Sequence, residues 1–236
     1  MLNLGTDKIT ALHLGGERIQ KAYLGEALVF GAGTGPGPSR LPEGYTEVEY
    51  IESTGTQYID TGVKPASNCK LFLDVYPLSV KKLSTYGVGY LVYSFFSRTS
   101  SPYTKYRMFV EPFEPRLLVG TSETYISLSN DTTPRRIQIT IDCLQGKTFI
   151  DGGAEKAIAS VVFNTAMSNI SLLAFANPSA YVLGKIYSCQ IEFNGVPSRD
   201  FVPCIDPTGA VGLYDLVDGK FYGNAGTGAF TAGPAV

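Results

Sequence analysis

Residues 47–52 read EVEYIE and place three carboxylates, Glu47, Glu49 and Glu52, within six positions. Carboxylates in pairs are what glycoside hydrolysis needs, one as acid and one as base or nucleophile, flanking the scissile bond. The spacing does not favour that chemistry. Along an extended strand, simple alternation puts Glu52 on the opposite face from Glu47 and Glu49, so a bulge is required to gather all three. The chain also contains no Trp and one histidine, His13. The shortage of histidine argues against Ser-His-Asp and Cys-His plans. The bland reading is that Val48, Tyr50 and Ile51 anchor a first strand while the glutamates are solvated.

Other candidate chemistry is equally sparse. Cys69, Cys143, Cys189 and Cys204 are far apart and form no CxxC pair, so they read as buried reduced thiols rather than a zinc site or a disulfide framework. In STGTQYIDTG (53–62), a short strand is expected from Gln57 to Asp60 with Tyr58 or Ile59 pointing inward. Asp60 caps a turn or serves calcium. Calcium needs six to eight oxygens, which spacing alone does not assemble, so the reading assigns no cofactor and leaves calcium as the alternative. The glycines of GNAGTGAFTAGP (223–234) lack the Lys of a phosphate loop, and Phe230 is expected to return to the sheet.

The most promising binding chemistry lies in YGVGYLVYSFFSRTSSPYTKYRMFVEPFEPR (86–116). Tyrosine offers a flat apolar face and a hydroxyl, which suits contacts with carbohydrate or protein. Alternate aromatics also fill sandwich cores. SRTSSPYTKY reads as a loop, which makes Tyr103 and Tyr106 the candidate exposed rings. Arg98, Lys105 and Arg107 are the candidate partners for acidic sugars or a protein neighbour.

The elements that must position these residues are strands. The chain has 236 residues, a net charge of −2, 26 Gly, 14 Pro and 15 Tyr. Many turns and many β-formers point to an all-β protein, and the charge balance argues against nucleic acid as a partner. No apolar run approaches the ~20 residues of a membrane helix, and MLNLGTDKIT lacks the features of a signal peptide. The expected setting is the cytoplasm, unless the chain leaves inside a larger particle.

Within residues 1–30, three apolar runs (Ile9–Leu14, Glu17–Leu24, Ala27–Phe30) are joined by Gly15-Gly16 and Gly25-Glu26, which predicts a three-stranded meander. It is too small to stand alone and is expected to dock on another chain or on its own copies. Residues 31–40, GAGTGPGPSR, form a Gly/Pro linker, and residues 41–236 form the main domain. There, LFLDVYP (71–77) alternates. RRIQITIDC (135–143) puts Ile137, Ile139, Ile141 and Cys143 on one face and Arg136, Gln138, Thr140 and Asp142 on the other. LQGK turns the chain into TFIDGG, and ISLLAFA (170–176) reads as buried. GKIYSCQIEFNG (184–195) places Tyr187, Cys189, Ile191 and Phe193 together, and Asp218-Gly219 signals a hairpin in LYDLVDGKFYG. The expected architecture is an antiparallel two-sheet jelly-roll sandwich preceded by a small meander.

LPEGYTEVEYIESTGTQYIDTGVKP (41–65), with GKIYSCQIEFNG and RDFVPCIDPTGAVGLYDLVDGKFYGNAGTGAF (199–230), resembles laminin-G-like, concanavalin-like jelly-roll domains of bacteriophage virions and prophages. KAYLGEALVF is similar to short modules of the same virion proteins. The likeness implies a tail, fibre or head-decoration protein without enzymatic activity. Its head would contact a host surface or glycan, its residues 1–30 would meet other virion proteins, and the assembly would be a homo-oligomer. Fold alone names no ligand. One alternative is a purely structural virion or baseplate component with no ligand. Another is a glycoside hydrolase using Glu47 and Glu52, since EVEYIE resembles the E-hydrophobic-D-x-x-E motif of laminarinase-type enzymes but carries Glu49 where Asp is expected.

Overall fold

The structure, a computed structural model, describes residues 40–79, 135–158, 169–173 and 183–236, together with strand backbones within 3–31 and 91–127. The chain separates into two compact units, Met1–Arg40 and Leu41–Val236.

The first unit contains β1 (Asn3–Leu4), β2 (Asp7–Lys8), β3 (Leu12–Leu14), β4 (Glu17–Ile19), β5 (Lys21–Leu24) and β6 (Ala27–Gly31). These pair as three separate hairpins rather than the expected single meander. Leu4 faces Asp7, Leu14 faces Glu17 and Leu24 faces Ala27, so one register recurs every ten residues. The Glu17–Leu24 run contributes one strand, β4, to one hairpin and another, β5, to the next. Gly31 ends β6, and the rest of the expected linker, 32–39, lies outside the described residues.

The second unit is antiparallel and, among the described residues, has no helix. Its strands are β7 (Thr46–Glu47), β8 (Ile51–Thr54), β9 (Ile59–Asp60), β10 (Cys69–Ser79), β11 (Leu91–Tyr93), β12 (Lys105–Glu111), β13 (Glu114–Gly120), β14 (Tyr125–Ser127), β15 (Ile137–Asp142), β16 (Lys147–Ile150), β17 (Lys156–Ala157), β18 (Ser171–Leu172), β19 (Leu183–Phe193), β20 (Val196–Ile205), β21 (Val211–Asp215), β22 (Lys220–Tyr222) and β23 (Thr231–Ala232). An 11-stranded sheet runs β17-β16-β15-β10-β19-β20-β21-β22, with β7 beside β20, β8 beside β19 and β23 beside β8. β11 to β14 form a separate four-stranded sheet, and β9 pairs with β18.

Alternation builds the core. Cys69, Leu71, Leu73 and Val75 of β10 and Ile137, Ile139 and Ile141 of β15 all point to one face and are buried. Ile186, Cys189 and Ile191 of β19, Phe201 and Leu213 join them, and Ile59, Ile170, Leu172 and Phe230 pack against the same cluster. Each such side chain contributes about 1.5–3 kcal/mol through burial. Phe230 returns to the sheet as expected.

A second cluster occupies the other face at one end. Val202, Cys204 and Tyr214 are buried there beneath Leu41 and Tyr45, with the Tyr45 and Tyr214 rings edge to face at 5.0 Å. Because β20 and β21 are covered on both faces at this end, the run Phe201-Val202-Pro203-Cys204 is buried without alternation.

Two expectations about faces need correction. Tyr187 does not point inward with Cys189. The β10–β19 register shifts between Asp74 and Val75, where Ser188 faces Asp74 and Ile186 faces Val75. The extra residue, Tyr187, turns outward, and Ile186 takes its place in the core. Thr140 and Asp142 share the outward side with Arg136 and Gln138 but are buried. Asp142 accepts the Gln145 N–H at 2.9 Å and lies 3.4 Å from the Lys70 ammonium.

The predicted strand over 57–60 shortens to Ile59–Asp60, because Gln57 turns inward as a hydrogen-bonding hub. Its Oε1 accepts from Thr54 N at 2.8 Å and from the Ser53 hydroxyl at 3.1 Å, and its Nε2 donates to Thr227 O at 3.2 Å. From the other side, Asn224 Oδ1 accepts from Tyr58 N and Gly226 N. The stretches 53–58 and 224–228 therefore close on each other. Gly226 sits at the joint, where a Cβ would lie 2.2 Å from Thr56 O. Gly226→Ala is expected to destabilise the domain by about 1–3 kcal/mol, read as a lowered urea midpoint. An unchanged midpoint would show that the joint is not closed.

Candidate functional site

EVEYIE is one bent strap rather than one strand. Thr46 and Glu47 pair with β20, and Val48 N donates to Pro203 O at 3.0 Å. The chain then bends at Glu49-Tyr50, and Ile51 to Thr54 pair with Ile186 to Leu183 of β19. The other edge of the strap is hydrogen-bonded to the C-terminal tail: Glu49 N to Pro234 O, Gly233 N to Tyr50 O and Val236 N to Glu47 O. Val48 and Ile51 are buried as expected of anchors, but Tyr50, the third expected anchor, is half-buried and turned outward at the bend. Glu47 and Glu52 sit beside different strands, β20 and β19. Glu52 lies 3.8 Å from the Lys185 ammonium, and Glu49 is exposed.

The bend and the β19 bulge meet on the outward face of the large sheet. They bring together Tyr50 and Tyr187, with ring centroids 5.4 Å apart. Arg136, from β15's leading edge, lies 3.7 Å over the Tyr187 ring, and the Lys185 ammonium lies 3.9 Å over Tyr50. Gly233 lies against Tyr50, where a Cβ would fall 2.9 Å from the ring.

Arg136 is held as a fork. Its Nε donates to Asp74 Oδ1 at 2.6 Å and its Nη2 to Asp74 Oδ2 at 2.9 Å, and Gln138 donates to the same Oδ2 at 3.0 Å. The side chain of Asp74 is 9% exposed and that of Arg136 is 52% exposed. One face of the guanidinium is thus stacked on a ring and its edge fixed by a buried carboxylate, which is the pre-organised geometry that distinguishes Arg from Lys.

The electrostatics agree with this arrangement. The hydrogen bond to Asp74 holds the Arg136 pKa above its ordinary value, and the adjoining Tyr50 phenol does the same for Lys185. Burial raises the Tyr187 phenol, against the pull of Lys185 and Arg136. The patch therefore carries fixed cations, two half-buried rings, the exposed Glu49 and Ser188, and the Gln138 amide. It offers stacking surface plus hydrogen-bond donors and acceptors, with no reactive group.

The remaining candidates fare differently. Arg98 and Tyr103 lie outside the described residues. Tyr106 and Arg107 lie within β12, opposite Val119 and Leu118 of β13, so the loop expected to run through Tyr106 ends before Lys105. Asp60 caps a turn, accepting Gly62 N at 2.9 Å. No group of three metal-ligating side chains occurs among the described residues, and no helix there is long and apolar enough to cross a membrane. The four thiols are free. Burial pushes Cys69 and Cys204 up to about 12 and Cys189 well above its ordinary value, so these three are not nucleophiles near neutral pH. Compared with known proteins, the chain matches no family model and no curated sequence.

Sequence reasoning missed Tyr50, Tyr187 and Arg136 as a group. Arg136 was visible as an outward residue, but the bulge that turns Tyr187 depends on the partner strand. Arg136→Ala leaves Asp74 with Gln138 as its remaining side-chain donor and is expected to destabilise the domain by about 1–3 kcal/mol. The Asp74→Asn, Arg136→Ala double variant is expected to lose less than the sum of the singles. Simple additivity in urea unfolding would contradict the coupling.

Proposed function

We propose that this chain is a non-enzymatic structural protein of a bacteriophage virion, a tail, fibre or head-decoration component, whose 41–236 head contacts the host surface. The ligand class that suits the outward patch is glycan. The virion assignment rests on the resemblance carried by residues 41–65, 184–195 and 199–230. The binding role rests on one observation above all, the Arg136–Tyr187 stack fixed by Asp74 on an open sheet face. Sugars present apolar ring faces and hydroxyls, and they are held by flat aromatic surface with fixed donors and acceptors beside it. Such a shallow site binds weakly per copy, and attachment then comes from copy number.

In this reading, residues 1–30 dock on other virion proteins or on copies of the same chain. The head is a concanavalin-like jelly roll, which the large antiparallel sheet and its single main core support. Neither nucleic acid nor membrane insertion has a part, and no cofactor is needed.

The fluorescently labelled full chain is expected to bind bacterial cells saturably and to be competed by one extracted envelope polysaccharide. Tyr187→Ala is expected to weaken that binding about tenfold or more, the scale of a hot-spot aromatic, with the fold intact by circular dichroism. Absence of saturable binding by the well-folded full chain to cells and extracted polysaccharides across a broad host panel would favour the ligand-free structural role.

A further inference from the structure

Asp215 and Asp218 lie at the β21–β22 turn, and Asp215 is fully buried. Each has one oxygen that is well served. Asp215 Oδ1 accepts the N–H groups of Asp200 at 2.8 Å and Val217 at 3.0 Å. Asp218 Oδ2 accepts the Tyr222 hydroxyl at 2.9 Å, with the Lys220 ammonium at 3.6 Å and Arg199 Nη1 at 3.7 Å. The other two oxygens, Asp215 Oδ2 and Asp218 Oδ1, are buried and receive no hydrogen bond from the described residues.

Arg199 does not fill the gap. Its Nε lies 3.5 Å from Asp215 Oδ2 but donates to Thr61 O at 2.9 Å, and its Nη1 donates to Ser198 O at 2.7 Å. Both carboxyl groups lie against the same guanidinium, Asp215 Oδ2 at 3.5 Å from Nε and Asp218 Oδ2 at 3.7 Å from Nη1. A buried acceptor without a donor costs about 1–3 kcal/mol, more when charged, and here two such acceptors lie three residues apart in one hairpin turn. A single proton serves both.

We propose that Asp215 and Asp218 share one proton, carried on Asp215 Oδ2 and donated to Asp218 Oδ1, and that the pair is a pH-sensitive latch on the β21–β22 hairpin. Burial pushes the Asp215 carboxyl up. Burial also opposes ionisation of Asp218, but the Tyr222 hydroxyl, the bond from Asp215 and the charges of Arg199 and Lys220 together hold it below its ordinary value. The titratable groups around the pair are Arg199 and Asp200 on β20, Cys189 on β19, and Lys220 and Tyr222 on β22. Tyr222 and Cys189 are both raised, chiefly by burial, and stay neutral across the range that matters.

The sign follows from which state binds the proton more tightly. For Asp215 that is the folded chain, so its contribution is full below the unfolded carboxylate pKa and lost as pH rises through the raised value. The contribution of Asp218 is full above the unfolded value and lost as pH falls through the lowered one. The latch is therefore tightest between the two. When the shared proton leaves, two carboxylates face each other and Arg199 is drawn from Thr61 O toward Asp215.

Carbon-detected titration of the side-chain carboxyls in the labelled full chain tests this directly. Asp215 is expected to titrate above the ordinary carboxylate range and Asp218 below it, each resonance also registering the other's step. Two carboxyls titrating together in the ordinary range would overturn the proposal. Asp215→Asn supplies an amide N–H where the shared proton sits. Its urea midpoint is expected to exceed that of the unmodified chain at about pH 8 and to match it at about pH 5. A midpoint lowered equally at both values would also overturn the proposal, and the titration decides the matter if the variant does not fold.

Discussion

The strap from Thr46 to Thr54 is the constraint on which the second unit depends. β19 and β20 pair with each other only through Cys189–Phe193 and Val196–Phe201. Beyond that stretch each needs a new neighbour, because an unpaired buried strand edge is costly. The strap supplies both. Its first part lies beside Cys204 and Ile205, and its second beside Leu183 to Ile186. Its bend at Glu49-Tyr50 is the crossing between them. The C-terminal tail then closes the strap's other edge through Pro234, Gly233 and Val236. Chain entry and chain end are thus held in the same place, and the hub at Gln57 with its counterpart Asn224 repeats the arrangement one turn later.

The same bend explains the outward patch. Val48 and Ile51 are both buried although they are three residues apart, so the residues between them are forced to the other side. That places Tyr50 outward, beside the residue that the β19 bulge ejects. Two irregularities of sheet pairing therefore bring Tyr50 and Tyr187 together on the outward face, and Arg136 and Lys185 cover their rings. Irregularities of this kind often re-aim side chains at functional sites.

Regular alternation was legible in the sequence, and local exceptions were not. LFLDVYP showed its alternation and RRIQITID its inward face, because the β10–β15 register is unbroken from Lys70 to Val75. GKIYSCQIEF gave the wrong face for Tyr187 because the shift is set against Asp74 and Val75, more than a hundred residues away. The glutamates of EVEYIE suggested a site by type, yet what that stretch does is decided by its bend. Gln57 looked like a strand residue and is a buried hub, since nothing local announces that Thr227 will meet its amide. The pairing of Asp215 with Asp218 is equally invisible, because the hairpin signal at Asp218-Gly219 says nothing about where the neighbouring carboxylate points.

The most direct test of the central claim is residue-resolved: backbone and side-chain chemical shifts of the full chain, followed during titration with extracted bacterial envelope polysaccharides. The account predicts saturable shifts at Tyr50, Arg136, Gln138, Tyr187 and Ser188, on the outward face of the sheet. Shifts confined to residues remote from that face, with Arg136 and Tyr187 unmoved at saturation, would contradict it.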